Sequence, residues 1–260
     1  MTIRKTLRLV WVALSVLVTA QAAHAAPTPS VLASGSSSTD TAADFTTGTA
    51  SPTANRLQLL LIHHVETTTA AAISSVTGCS MTWAEVTNYA YNTSSRRISI
   101  WRTMSATPGS ACALTIATGT RTGIAYLWTE WTELDTSGSD GSGAIVTSTS
   151  GTNTASGTSL NNTFATFGSE SNAGVEVCVS NVNGNVYTVD ATATWTQIGT
   201  SQAHASPAST TAVQYRIGTD TTATCTFTTN GGIAAIGVEL KAAAAATSSG
   251  GIPRLLGGIR

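Results

Sequence analysis

Charge is what this chain has least of. Lys and Arg number 12 and Asp and Glu 13 among 260 residues, 10% in all with a net −1, where an ordinary soluble protein carries roughly 25%. No basic run stands inside the expected mature chain, so electrostatic capture of nucleic acid has no footprint. None of the four cysteines forms a Cys-x-x-Cys pair or sits at zinc-ligand spacing from a histidine. No Gly-x-Ser-x-Gly or similar nucleophile motif occurs. Before residue 241 no stretch has the period of an amphipathic helix apart from the N-terminus, and no second apolar run approaches the ~20 residues of a membrane helix.

What is present points to export and to strands. Arg4, Lys5 and Arg8 precede an apolar run over 9–19, and Ala23-His24-Ala25 offers a small-x-small cleavage pattern, so residues 1–25 read as a signal peptide. The expected localisation is therefore periplasmic, cell-surface or extracellular, with no stable membrane span in the mature chain. Four cysteines suit that compartment as disulfides, and they allow three pairings. Cys79–Cys112 with Cys178–Cys225 is the expected set, because each bridge then stays within one half of an internal repeat.

That repeat is the strongest pattern in the chain. Gly123-Ile-Ala-Tyr-Leu-Trp-Thr-Glu130 is answered by Gly232-Ile-Ala-Ala-Ile-Gly-Val-Glu239, with Gly, Ile, Ala and Glu at matching places. Upstream, Thr82-Trp83 and the run Ile98-Ser-Ile-Trp-Arg102 answer to Thr194-Trp195 and Val213-Gln-Tyr-Arg216. One strand series used twice is a signal of fold rather than of function. Short apolar or alternating runs predict an edge strand near 30–36 and strands over 56–65, 73–77, 80–86, 97–103, 111–118 and 123–134 in the first half. In the second half they predict strands over 144–149, 159–167, 174–180, 186–189, 192–198, 212–217, 222–228 and 232–241. Tyr89 and Tyr91 fall in a predicted exposed loop over 87–95, and 135–143 (DTSGSDGSG) reads as a flexible connector. Asn183-Gly184 and Asn230-Gly231 read as turns. The expected architecture is an all-β antiparallel sandwich or jelly roll over 26–241, with halves at about 56–134 and 144–241. A linker and apolar-basic tail over 242–260 follow it and could serve as a docking segment.

Few residues suggest chemistry. Glu130 and Glu239 occupy equivalent places and would be the paired carboxylates of a glycosidase, but alternation puts each on a solvated or edge face, and the structural reading is preferred. His63 and His64 are neighbours on a strand and point to opposite faces, so with Glu66 nearby they do not make one metal site. His204 stands alone in a Ser/Ala loop. Asp135 and Asp140 lack the spacing of a calcium loop. No catalytic residue, metal or cofactor is expected. Trp83 and Trp128 read as core, while Trp101, flanked by Arg97 and Arg102, could face either way. For ligand contact the candidates are Tyr89, Tyr91 and Trp131, since flat aromatic faces stack on sugars; Tyr89 and Tyr91, two apart, would form the platform.

The motifs Ser75-Val-Thr-Gly-Cys-Ser-Met-Thr-Trp83, Arg97-Ile-Ser-Ile-Trp-Arg102 and Gly232-Ile-Ala-Ala-Ile-Gly-Val-Glu-Leu-Lys241 resemble a loosely defined group of bacterial and phage β-sandwich proteins. That group carries patterns like ITSVTGGGLTW, VSIWRA and IAVEIK. Cys79 stands where the group has glycine, consistent with an added disulfide. The resemblance spans roughly 50–241 and implies a jelly-roll-like sandwich of virion or cell-surface settings. It carries over no catalytic residue. The expected function is an exported, non-enzymatic surface structural or binding protein that engages a glycan or a protein partner and has scope to oligomerise. A phage-derived virion component and a secreted glycoside hydrolase are the alternatives.

Overall fold

Nine consecutive buried residues make β3 (Leu57–Val65) the axis of the first half. Alternation sends Leu57, Leu59 and Leu61 to one face and Leu60 and Ile62 to the other. Both faces are covered, which is why LQLLLIHHV runs apolar almost without a break. The computed structural model describes residues 25–190 and 194–244. The expected signal peptide and most of the C-terminal tail lie outside the described residues.

β3 pairs antiparallel with β6 (Arg96–Thr103) and with β8 (Gly123–Thr132). β5 (Ala84–Tyr91) adds beyond β6 and β1 (Thr28–Ser37) beyond β8, giving the order β1-β8-β3-β6-β5. The second sheet contains β10 (Thr152–Thr163), β11 (Ala173–Ser180), β13 (Thr196–Gln197), β15 (Ala208–Ile217) and β16 (Thr222–Leu240), in the order β10-β16-β11-β15-β13. β9 (Ile145–Ser148) and β12 (Tyr187–Thr188) pair with β16, and β14 (Gln202–Ala205) with β15. A small sheet of β2 (Phe45–Thr46), β4 (Val76–Gly78) and β7 (Leu114–Ile116) covers the outer face of the first sheet. The chain is an all-β antiparallel sandwich, as its patterning predicts.

The internal repeat is present as topology. β8-β3-β6 and β16-β11-β15 have the same order and directions, so the two GIA–E strands take the same place in their sheets. Leu57, Leu59, Leu61, Ile98, Ile100 and Trp131 of the first sheet meet Val175, Val177, Val213, Ile236 and Val238 of the second to form the main core. Each such side chain, fully removed from water, contributes about 1.5–3 kcal/mol. Aligning the β6 and β15 runs at Arg102 and Arg216 is one residue out: Leu59 pairs with Arg102, and its counterpart Val175 pairs with Tyr215. Because side chains alternate, that single residue decides which ones face the core. Tyr215 does, packing edge-on against Trp131 at 5.6 Å. On the outer faces the rows diverge. Leu60 lies between Trp101 and Trp128, whereas the matching row is Gln214, Glu176 and Gly237. Phe164 packs directly on Gly237 and fills the space that Trp128 takes in the first half.

Both disulfides form as expected, Cys79–Cys112 and Cys178–Cys225, with Cα–Cα distances of 5.3 and 5.6 Å. Four local expectations fail. The loop over 87–95 is largely strand: β5 runs to Tyr91, and only Asn92–Ser95 turns back into β6. Asn230-Gly231 is no hairpin, because β16 runs through it for 19 residues with β10 paired along most of its length and register shifts on either side of Gly157. A side chain at Gly231 would strike the amide of Asn181, so close packing accounts for that glycine. The 135–143 connector is pinned: Lys241 Nζ lies 2.7 Å from Asp135, and Arg102 Nη1 donates to the carbonyls of Ser139 and Asp140. His204 belongs to a strand, β14, rather than to a loop.

Candidate functional site

β5 and β6 meet in a tight hairpin whose tip residues Asn92, Thr93 and Ser94 all have positive φ (50°, 54° and 67°). Such a conformation is costly outside glycine and is held here by local bonds from Asn92 and Ser95. The hairpin tip faces the Asn153–Ala155 segment of β10 and residues Asn181 and Gly232 across a cleft of about 280 Å³. Tyr91 and Arg96, opposite one another in the β5–β6 register, line the same cleft. The site is concave, with walls contributed by both sheets.

Tyr89 and Tyr91 do share a face, with parallel rings 6.3 Å apart. That face is turned inward. Tyr91 is buried in the main core and Gly151 packs directly on the Tyr89 ring, whose hydroxyl bonds Asn153 Oδ1 at 2.5 Å. The expected stacking platform is therefore occupied by the protein itself. Trp131 is 1% exposed and donates from Nε1 to Thr129 Oγ1 at 3.0 Å, so it offers no face to a sugar either. Strand alternation accounts for both: it sends Tyr89 and Tyr91 of β5, and Trp131 of β8, toward the second sheet. Trp83 and Trp128 are core as expected, and Trp101 joins them.

Behind the cleft lies a buried polar layer. The Tyr91 hydroxyl and His63 Nε2 share a hydrogen bond at 2.8 Å; His63 Nδ1 lies 3.2 Å from Ser209 Oγ and 3.3 Å from Thr211 Oγ1. The His204 ring lies parallel to His63 at 6.0 Å, close over Gly123 where any side chain would collide with it. Burial lowers the pKa of His63 far below its ordinary value and lowers that of His204, and the charge of Arg96 acts in the same direction on both. Burial raises that of Tyr91. All three are neutral at physiological pH. Ser209 beside His63 has the outline of a nucleophile and base, but it is fully buried and its hydroxyl donates to Ser180 O at 3.0 Å. His64, on the opposite face as its parity predicts, bonds Ala71 O at 2.8 Å, and burial pushes its pKa down to about 4.

Arg96 is the charged member of this layer. It is 7% exposed, and Nη2 donates to Ala208 O at 3.1 Å, while Nε and Nη1 have no hydrogen-bond partner among the described residues. Sequence reading passed over it in favour of Arg97 and Arg102. The parity of Ile98 and Ile100 was the available signal, since it places Arg96 on the same inward face. Asn153 and Asn181 reach the cleft through long-range pairing, and nothing local marks them.

Glu130 and Glu239 turn out to do the same structural job twice. Glu130 accepts from the Thr53 amide at 2.9 Å and pairs with Arg56 at 3.5 Å. Glu239 accepts from the Gly168 amide at 2.9 Å and from Asn172 Nδ2. Each carboxylate thus ties down the segment that leads into β3 or β11. Glu239→Ala would leave a buried amide unpaired, and a loss of about 1–3 kcal/mol is expected from the urea midpoint. A change under 0.5 kcal/mol would contradict this role.

The nearest thing to a metal cluster among the described residues is Glu176 with Cys178 and Cys225, all buried. Those sulfurs are joined to each other, so they offer no thiolate. Asp135 is engaged by Lys241 and Ser137, which hold its pKa at about 2, and Asp140 contributes its carbonyl to Arg102. No helix among the described residues is long and apolar enough to cross a membrane. No protein-family model, curated protein or solved structure matches this chain.

Proposed function

We propose that this protein is an exported, non-enzymatic binding protein whose ligand enters the cleft between the β5–β6 hairpin and β10. The observation that carries this reading is the cleft itself: two sheets contribute Tyr91, Asn92, Arg96, Asn153 and Asn181 to one concave site. Asparagine amides and a guanidinium offer donors and acceptors at a short spacing, which suits a hydroxyl-rich ligand such as a glycan bound by hydrogen bonds rather than by ring stacking. The two disulfides support an oxidising compartment, in keeping with the signal peptide read at 1–25. The likeness of 75–83 and 97–102 to bacterial and phage surface sandwiches points the same way.

Ala155→Trp tests the location. Ala155 is exposed and lines the cleft, so an indole there fills the entrance without touching the core. Glycan-array and calorimetric binding by the full chain should fall at least ~10-fold, a change of about 1.4 kcal/mol, with the thermal midpoint unchanged. Full affinity in the variant would place the binding surface elsewhere.

A further inference from the structure

We infer that the cleft selects saccharides carrying an oxyanion, a uronate carboxylate or a sulfate ester, with Arg96 as the residue that sets this preference. The inference rests on the proposed binding function and adds the class of ligand to it.

The argument starts from the charge balance of one buried side chain. A guanidinium has five N–H donors, cannot lose its proton in a protein, and is costly to bury without a partner. The other arginines of the described fold are better supplied. Arg56 pairs with Glu130 and Arg216 with Asp220; Arg97 bonds Ala70 O and Asn88; Arg102 bonds Ser139 O and Asp140 O. Arg121 bonds Ala43 O and Thr118 and lies over the Phe45 ring. Arg96 has Ala208 O and the neighbouring Tyr91 hydroxyl, both neutral, and no carboxylate forms an ion pair with it among the described residues.

Its surroundings do nothing to neutralise it. The neighbouring Tyr91, His63 and His204 are buried and uncharged, and the cleft is otherwise lined by Asn, Thr, Ala and Gly, with no Asp or Glu among them. One uncompensated positive charge therefore stands in the wall of a concave, partly dehydrated site. Low-dielectric walls focus such a field outward, toward the space a ligand occupies. An oxyanion placed there relieves the unpaired charge; a neutral sugar leaves it as it is. The Nδ2 groups of Asn153 and Asn181 remain as donors to the ring hydroxyls, their oxygens being engaged by Tyr89 and the Gly232 amide, and the absence of acidic lining residues removes the repulsion that would otherwise oppose an anion.

The test compares size-matched neutral, uronate and sulfated oligosaccharides against the full oxidised chain by calorimetry at two salt concentrations, with Arg96→Met, Arg96→Lys and Ala155→Trp alongside. At least one anionic series should bind ~10-fold or more tightly than the neutral one and weaken with salt; which series does so identifies the source of the oxyanion. Arg96→Met should abolish the difference, Arg96→Lys should keep part of it, and Ala155→Trp should lose binding of either. Equal affinity for neutral and anionic sugars, with Ala155→Trp still blocking both, overturns the selectivity and leaves the binding site standing. An anionic preference that survives in folded Arg96→Met, or that Ala155→Trp does not disturb, also overturns it. Binding of no saccharide overturns both readings. If Arg96→Met fails to fold, the wild-type preference together with the block by Ala155→Trp decides the matter.

Discussion

Glu176→Gln is expected to stabilise the protein by roughly 4 kcal/mol more at pH 8 than at pH 4. Glu176 is fully buried in the outer row of the second sheet, where the first sheet has Leu60. Burial is the main cause that raises its pKa to about 8, with Asp190 adding to it and hydrogen bonds from Gln214 and Asn162 opposing it. The folded carboxyl is thus protonated at neutral pH, while the unfolded one ionises near its ordinary value of 4.5. Between those two values the unfolded state has given up its proton and the folded state has not, so stability is full below 4.5 and drains away as pH rises toward 8. Glutamine keeps the shape and the bond to Gln214 Nε2, now 2.6 Å from Glu176 Oε2, without the ionisation. The difference between the two proteins cancels the acid-side contribution of His64, whose lowered pKa removes stability as pH falls below 6.5. Denaturant midpoints of both proteins from pH 4 to pH 8 read the effect directly. Parallel curves would mean that the carboxyl is ionised inside the fold and that its charge is met by a partner.

The second large effect concerns the bridge beside it. Cys178 and Cys225 are fully buried and close a loop of sequence separation 47. Replacing both with alanine releases that constraint from the unfolded chain and should cost about 4 kcal/mol. For a domain of this size that is a fall of roughly 8–16 °C in the thermal midpoint. Tyr187, whose hydroxyl lies 3.7 Å from Cys178 Sγ, loses part of its packing in the same change. Because neither sulfur meets solvent, mild reductant should open the native protein at Cys79–Cys112 first, where Cys112 is only half-buried. Thermal unfolding of Cys178→Ala with Cys225→Ala, and thiol trapping of the wild type under reductant, check the two statements. A cost below 1 kcal/mol would show that the β11–β16 pairing already restrains this part of the unfolded chain.

The expectations that held and those that failed separate by the range of the interactions behind them. Trp83 and Trp128 could be placed in the core and 56–65 as a strand, because a short, dense apolar run favours a buried strand; that both of its faces are covered emerged from the packing. Of the three possible disulfide pairings, the one the repeat favours, with each bridge inside one half, is the one that forms. Tyr89 and Tyr91 were misplaced because Thr, Asn and Tyr alternating over 87–91 look the same in a loop as in a strand whose partner has not been identified. Asn230-Gly231 carries a strong local turn signal, and the paired β10 overrides it along β16.

By itself the sequence determined the fold class, the twofold repeat and the lack of charge, and favoured one of three cysteine pairings, all of which rest on composition, period and chain order. The tertiary structure decided register and enclosure. It moved Arg216 one place from its apparent equivalent, turned Tyr91 and Trp131 inward, used Glu130 and Glu239 as loop anchors, and left Arg96 without a carboxylate partner among the described residues, beside a cleft built from both sheets. The physical reason is that a strand's pattern states which residues share a face, while only the packing of the second sheet decides whether that face meets water, protein or a ligand.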